Sequence, residues 1–360
     1  MVNYLYIDDE SLEVTELIAK GLSTKKELKV TAIQHKEWNE HLKQIDKEID
    51  GLLLDWDLSK KNVDGVKADF SQEAFAQQIR KDIVEKKRKS IPIIICSAQH
   101  NFRKFYDKEL IAHDLFDLVL EKNDLENDIT IDYLVDLAIG YEQIATKKYE
   151  SILGVKNDSS IDERFLEILK DKVKVLPIHE VAQYLYKSLL KPEGILIDNY
   201  VLAARLGFSY EAYKDSKDWK LLSKKLKNVQ YNGAFSIVYP NWWSVKLEEW
   251  WHKTFKNHLG LFTAKEKIVT LNKKLKTNFK ISELAKHSKS EYYWTVCKNS
   301  KVPIATEDGI LLKSSERRYP WIGDSYICFE EALRNPRQIS VYEKDRISKL
   351  KKRLEKTLYK

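Results

Sequence analysis

Residues 4–9, YLYIDD, pass from four apolar or aromatic side chains directly into two carboxylates, Asp8 and Asp9. The pattern recurs three times. Residues 51–55, GLLLD, end on Asp55; residues 91–97, IPIIICS, end on Ser97; residues 117–122, DLVLEK, end on Lys122. A short continuous apolar run bounded by polar residues reads as a strand buried on both faces. In an open parallel sheet the carboxyl ends of such strands border one crevice, where these folds take their ligands. Three carboxylates, a hydroxyl and an ammonium are therefore expected along one edge.

Those residue types suit a divalent metal and a phosphoryl group. Mg²⁺ takes oxygen ligands, so two or three carboxylates plus a phosphate fit it. An aspartate oxygen can attack phosphorus to form an acyl phosphate, which splits one transfer into two steps. The lysine and the metal offset charge on the equatorial oxygens, and the serine hydroxyl hydrogen-bonds one of them.

In this order and spacing the four islands resemble the receiver domains of bacterial two-component signalling, over residues 1 to about 140. The resemblance implies an α/β fold with a flavodoxin-like, five-stranded parallel sheet of order 2-1-3-4-5. It implies Asp55 as phospho-acceptor, Ser97 as switch hydroxyl and Lys122 as phosphate-binding lysine. Mg²⁺ would be held by Asp8, Asp9, Asp55 and the main-chain carbonyl of Asp57, and a histidine kinase would be the donor. Asp57 and Ala98 stand at positions that modulate the chemistry.

The sequence also departs from the family pattern. The stretch between Asp55 and Ser97 is long, with extra residues around KKNVDGVKADFSQ (60–72), so the insertion at 60–70 is expected to be a lid or a partner contact. Asp57 stands where the family often has Met or Asn, and like charge there should alter the lifetime of an acyl phosphate. Asn123, not proline, follows Lys122. The aromatic switch residue is missing, because Leu118, Val119 and Leu120 fill the strand and Phe116 is the nearest aromatic.

The 360 residues are long enough for two domains. No run approaches the roughly 18 apolar residues of a membrane span, and no signal peptide is visible, so the expected location is the cytoplasm without membrane contact. Cys96, Cys297 and Cys328 have no paired spacing and read as small buried hydrophobes. Residues 1–150 hold 22 Lys+Arg against 30 Asp+Glu, a balance of −8, whereas residues 151–360 hold 40 against 25, or +15. That asymmetry suggests two units with different partners.

Alternating strand and helix patterns occupy the first half, and the last helix is expected from about Ile129 to Lys147, running on into TKKYES. The stretch GVKNDSSIDER (154–164) reads as a linker. The expected division is a receiver at 1–147, a linker at 148–164 and a basic, tryptophan-rich, mainly helical domain at 165–360. FLEILKDKVKVL, HEVAQYLYKSLL and NYVLAARLGF show helical spacing, with Gly207 as a C-terminal cap.

Seven of the nine tryptophans lie beyond residue 200. As one helix, PNWWSVKLEEWWHKTF groups Trp243, Leu247, Trp250 and Trp251, which reads as an aromatic core. Trp242, off that stripe, is the candidate for a stacking or partner-binding surface. Arg317, Arg318, Arg334 and Arg337 are candidates for phosphate or acidic-partner binding, with salt bridges to Glu316, Asp324, Glu330 and Glu331 as the plainer explanation. His179-Glu180 is followed by VAQY, which excludes an HExxH zinc site, and neither a phosphate loop nor a G-x-S-x-G elbow is present.

The reading is a phosphoryl-accepting signalling protein, with no enzyme activity beyond that self-chemistry. Its expected partners are a histidine kinase and a further receiver or effector protein of the same system. With an atypical receiver and an unfamiliar tail, the whole chain resembles the phosphate-buffering receiver proteins of bacterial anti-phage two-component systems. Two rivals stay open: a response regulator whose basic half binds nucleic acid, and an effector enzyme in that half.

Overall fold

Five apolar runs pair as one parallel sheet: β1 (Val2–Asp8), β2 (Leu28–Gln34), β3 (Gly51–Asp55), β4 (Ile93–Ser97) and β5 (Leu118–Glu121). Their order is β2-β1-β3-β4-β5, as the resemblance implies. The computed structural model describes the chain except residues 26, 36–42, 44, 46–47, 59, 62–64, 66, 98–114, 126, 156–160, 317–318 and 359–360. Most of the helix expected at WNEHLKQID and all of that at RKFYDKELIAH, together with Ala98, Arg317, Arg318 and much of the expected linker, lie outside the described residues.

Register decides what reaches the carboxyl edge. Ile7 pairs with Leu54, so one step on Asp8 comes beside Asp55; Asp55 pairs with Cys96, and Ser97 with Glu121. The strand interiors are almost wholly buried, with Leu52, Leu54, Ile93 and Ile95 in one cluster with Phe75, Ile79 and Phe116. Helix α1 (Leu12–Leu22) starts at Ser11, whose side chain accepts the Val14 N–H. Helix α2 (Gln72–Val84) starts likewise at Ser71, which accepts from Ala74. Each hydroxyl satisfies an N–H that the first turn would leave without a partner.

Helix α3 (Asp128–Ala145) ends earlier than the periodicity suggests. Lys147 adopts φ +59°, which breaks the helix before a short one at Tyr149–Leu153. Beneath the sheet, Arg80 of α2 pairs with Asp117 at 2.7 Å, and Tyr141 of α3 donates to the other Asp117 oxygen, also at 2.7 Å. Arg80 donates further to the carbonyls of Ile91 and Leu115. Each nitrogen of this buried cation thus donates to an acceptor, as burial of a charge requires.

The chain divides into two units, but not at a single linker. The first comprises Met1–Asn157, Leu166–Leu185 and Asn232–Val238; the second comprises Asp158–Phe165, Tyr186–Tyr231 and Tyr239–Lys360. The helix Ile178–Leu185 packs on α3. Asp136 of α3, buried, accepts the amides of Ile237 and Val238 at 2.8 and 2.9 Å. Gly140 of α3 leaves room for Phe235, because a Cβ there would come within 2.4 Å of the ring. Alanine is worth about 1 kcal/mol more than glycine inside an ordinary helix. Gly140→Ala should instead destabilise the first unit by about 1–3 kcal/mol through overpacking, and Phe235→Ala should restore the usual sign. Urea unfolding of the two single variants and the double variant checks this; a stabilising Gly140→Ala in the parent would refute the close packing.

The second unit mixes helices with short antiparallel strand pairs, such as Leu196–Asp198 with Asn241–Trp243. PNWW is therefore not the start of a helix. Trp242 and Trp243 lie in a strand, and the helix begins at Ser244. Trp242, Trp251, Leu247, Phe208 and Trp219 share one core, with Trp250 packed against it. Gly207 ends the helix Asn199–Leu206 with φ +101°, a conformation glycine adopts without strain. A further helix runs over Lys344–Leu358. Among the described residues, no helix is long and apolar enough to cross a membrane.

Candidate functional site

The strand ends bring the acidic residues together. A carboxylate oxygen from each of Asp8, Asp9 and Asp55 lies within 4.8 Å of the others, and all three residues are buried. Lys122 opens a single 3₁₀ turn after β5. Its ammonium lies 2.8 Å from Asp8 Oδ2 and 2.8 Å from Asp55 Oδ1. Ser97 is buried at the end of β4, on the same edge.

Each carboxylate is oriented by its surroundings. Asp8 Oδ1 accepts the Glu10 amide at 2.9 Å, and Asp8 Oδ2 also accepts from the Tyr6 hydroxyl. Asp55 Oδ2 accepts the amide of Asp57 at 2.9 Å. Asp9 Oδ2 accepts the amide of Lys60 at 3.0 Å, while the Lys60 ammonium pairs with Glu10 and reaches Asp9 Oδ1 at 3.9 Å. The insertion therefore engages the site through its first residue.

Burial pushes the Asp55 carboxyl up to about 6, and the charge of Asp8 adds to this; Lys122 and the Asp57 amide pull it back. For Lys122, burial opposes the charged form, but Asp55 and Asp8 outweigh it and the pKa is raised. Burial, then the charge of Asp8, raises the Tyr6 phenol, which keeps it a donor.

One half-buried ammonium does not balance three buried carboxylates. A divalent cation suits that deficit, and the all-oxygen donor set suits Mg²⁺. Asp8, Asp9 and Asp55 are the residues that would hold it. Asp57 is exposed on the rim. Beside it lies a hollow of about 480 Å³ lined by Trp56, Leu58, Lys67 and Phe70. Phe116, the aromatic nearest the missing switch position, is a core residue.

Two participants escaped sequence reasoning. Tyr6 sits two residues before Asp8, hence on the same side of the strand; that alternation within YLYID was the available signal. Lys60 had none, because its contact with Asp9 depends on how the loop after β3 folds back.

Among the described residues, the candidates of the second half do not assemble into a site. Trp242 is buried, and its indole N–H donates to Asn199 Oδ1 at 2.6 Å. It serves the core rather than a binding surface, because strand pairing turns it inward. Arg334 is exposed and pairs with Glu330 and Glu331 at 3.1 and 2.9 Å, as the plainer explanation has it. Arg337 is exposed in the short turn Pro336–Gln338.

No protein-family model matches the chain, and no curated protein matches it. Among solved structures it is similar to a response regulator receiver domain protein from Clostridium thermocellum, at 17% identity and TM-score 0.29, over 40% of this chain and 99% of that one. It is also similar to the receiver domain of the putative response regulator NarL from Mycobacterium tuberculosis, at 16% identity and TM-score 0.28, over 39% and 97%. A third is the Mn²⁺-bound form of the response regulator Rcp1, at 13% identity and TM-score 0.25, over 35% and 90%. By its strand order and by the residues gathered at its carboxyl edge, the first unit has the flavodoxin-like fold of a receiver domain.

Proposed function

We propose that this chain is a phosphoryl-accepting receiver protein, taking a phosphoryl group onto Asp55 from a histidine kinase of a two-component pathway. The observation that supports this reading is the buried triad of Asp8, Asp9 and Asp55 with Lys122 bridging two of its members. The Asp57 amide holds Asp55 Oδ2, which leaves Oδ1 as the attacking oxygen. Oδ1 forms the bond to phosphorus as the phosphorus–nitrogen bond of the donor breaks, and the electron pair leaves with the imidazole nitrogen. Lys122 passes from Asp55 Oδ1 to a phosphoryl oxygen, so its charge is spent on the transferring group. Mg²⁺, when bound, neutralises charge on those oxygens, with the Asp57 carbonyl as a further ligand. Ser97 hydrogen-bonds a phosphoryl oxygen, and Asp57, Ala98 and the insertion govern the lifetime of the acyl phosphate.

The test is phosphorylation of the full chain by a small phosphodonor. Label is expected only with Mg²⁺ and is expected to vanish in Asp55→Asn, which keeps the shape but removes the nucleophile. Asp8→Ala and Asp9→Ala should each raise the Mg²⁺ midpoint at least about tenfold, read from the fluorescence of Trp56, with the fold intact by circular dichroism. Undiminished label in Asp55→Asn would overturn the assignment.

The finer reading is a phosphate buffer in an anti-phage two-component system; it rests on the resemblance of an atypical receiver joined to an unfamiliar tail. A histidine kinase gene and an effector gene beside this one would support it. For the second unit we propose binding of a further receiver or effector protein rather than catalysis or nucleic-acid binding. Supporting this, Trp242, Trp243 and Trp251 are buried, so these three rings offer bases no stacking face.

A further inference from the structure

Three lysines of the second unit share one small cavity, and no acid there is left to pair with all of them. Lys191, Lys298 and Lys301 line a cavity of about 40 Å³, together with Asp198, Asn241 and Thr295. Among the described residues none of the three ammonium groups forms a salt bridge. The Lys191 ammonium lies 5.3 Å from the centre of the Tyr186 ring, and that of Lys301 lies 5.5 Å from the centre of the Tyr200 ring. Such contacts stabilise a cation without cancelling its charge.

The neighbouring acids are already engaged. Glu193 accepts from Arg205 Nη2 at 3.1 Å and from Thr295 Oγ1 at 2.6 Å. Asp198 accepts the amide of Val201 at 2.8 Å and so caps the helix Asn199–Leu206. With Glu193 paired to Arg205, the lining carries three lysines against the one carboxylate of Asp198, a surplus of +2. Lys298 is exposed as a residue, and burial of its amine, followed by the charge of Lys301, lowers its pKa.

Size and charge together select a ligand. A water needs about 10–15 Å³ of such space, so the cavity holds roughly three waters or one tetrahedral oxyanion. Two negative charges would balance the surplus. We propose that this cavity binds the dianionic group of a phosphate monoester through Lys191, Lys298 and Lys301. The inference is independent of phosphoryl acceptance at Asp55.

Calorimetric titration of the full-length Asp55→Asn protein with inorganic phosphate, in EDTA and at constant ionic strength, tests it without interference from the acidic corner. One site per chain is expected. Lys298→Gln and Lys301→Gln should each weaken it at least about tenfold, the loss of one charge-assisted contact. Lys298→Arg should retain most of the affinity, and Lys265→Gln, an equal charge change outside the cavity, should leave it unchanged. Methyl phosphate should bind and dimethyl phosphate should not. Absence of binding, or equal binding by all variants, would overturn the proposal. Equal binding of the diester would also overturn it and would assign the cavity to a nucleic-acid backbone.

Discussion

Lys122→Met should destabilise the first unit by about 3–5 kcal/mol at pH 7 in the presence of EDTA, the usual consequence of removing one partner from a buried ion pair. The Lys122 ammonium serves Asp8 and Asp55 at once, each at 2.8 Å. Without it, three buried carboxylates face one another, and among the described residues Lys60, 3.9 Å from Asp9, is what brings positive charge close. The loss should depend on pH. The Asp55 carboxyl lies at about 6, above its ordinary 3.8, so its contribution to stability is fully present below about pH 3.8 and is lost as pH rises through 6. Lys122 pulls that value down, so in the variant the loss should extend to higher pH, and the gap from wild type should widen between pH 4.5 and 8. Saturating Mg²⁺ should close most of the gap, since a cation that binds only the folded protein stabilises it. Urea midpoints across this pH range, with and without Mg²⁺, measure both effects. A cost below 1 kcal/mol, unaffected by Mg²⁺, would mean that the corner is hydrated rather than buried.

Lys267→Met should have the opposite sign and stabilise the second unit at pH 7. Lys267 is 1% exposed and has no carboxylate partner among the described residues. Among the described residues its ammonium has the Tyr293 carbonyl at 3.4 Å and the Trp294 ring centre at 6.0 Å. Burial, then the charge of Arg205, lowers its pKa from 10.5 to about 8. At 1.36 kcal/mol per pKa unit this is roughly 3 kcal/mol of unfavourable protonation. The penalty applies in full below pH 8. Between pH 8 and 10.5 the native protein has released the proton while the unfolded chain keeps it, so wild-type stability rises with pH in that window. Methionine fills similar volume without the charge. After subtracting the weak contacts it forfeits, the gain at pH 7 should be about 2 kcal/mol, shrinking towards pH 10.5. Thermal unfolding at the two pH values checks this; destabilisation at both would show that Lys267 has solvent or a partner.

The acidic corner was legible in the sequence because each of its members ends an apolar run, and parallel pairing brings strand ends to one edge. Asp8, Asp9, Asp55, Ser97 and Lys122 all lie where that reasoning places them. The stripe of Trp243, Trp250 and Trp251 was legible as core, whereas Trp242, which the helical reading sets on a surface, is buried; adjacent Trp242 and Trp243 fit a strand or a helix, and only pairing with Leu196–Asp198 separates the two. The division of the chain was not legible. Leu166–Leu185 and Asn232–Val238 join the first unit through α3, by the amide bonds to Asp136 and the Phe235 ring over Gly140. A glycine inside a helix hints at close approach without naming the visitor.

That interleaving bears on how the protein is made. Synthesis runs from the N-terminus, and a domain coded as one continuous stretch can close as soon as its last residue leaves the ribosome. Here the Phe235 plug arrives some ninety residues after α3 has emerged. Until then Asp136 and the Gly140 notch have no occupant, and the nascent chain waits with an open flank. Severing or recombining the gene near residue 160 would leave that flank permanently open.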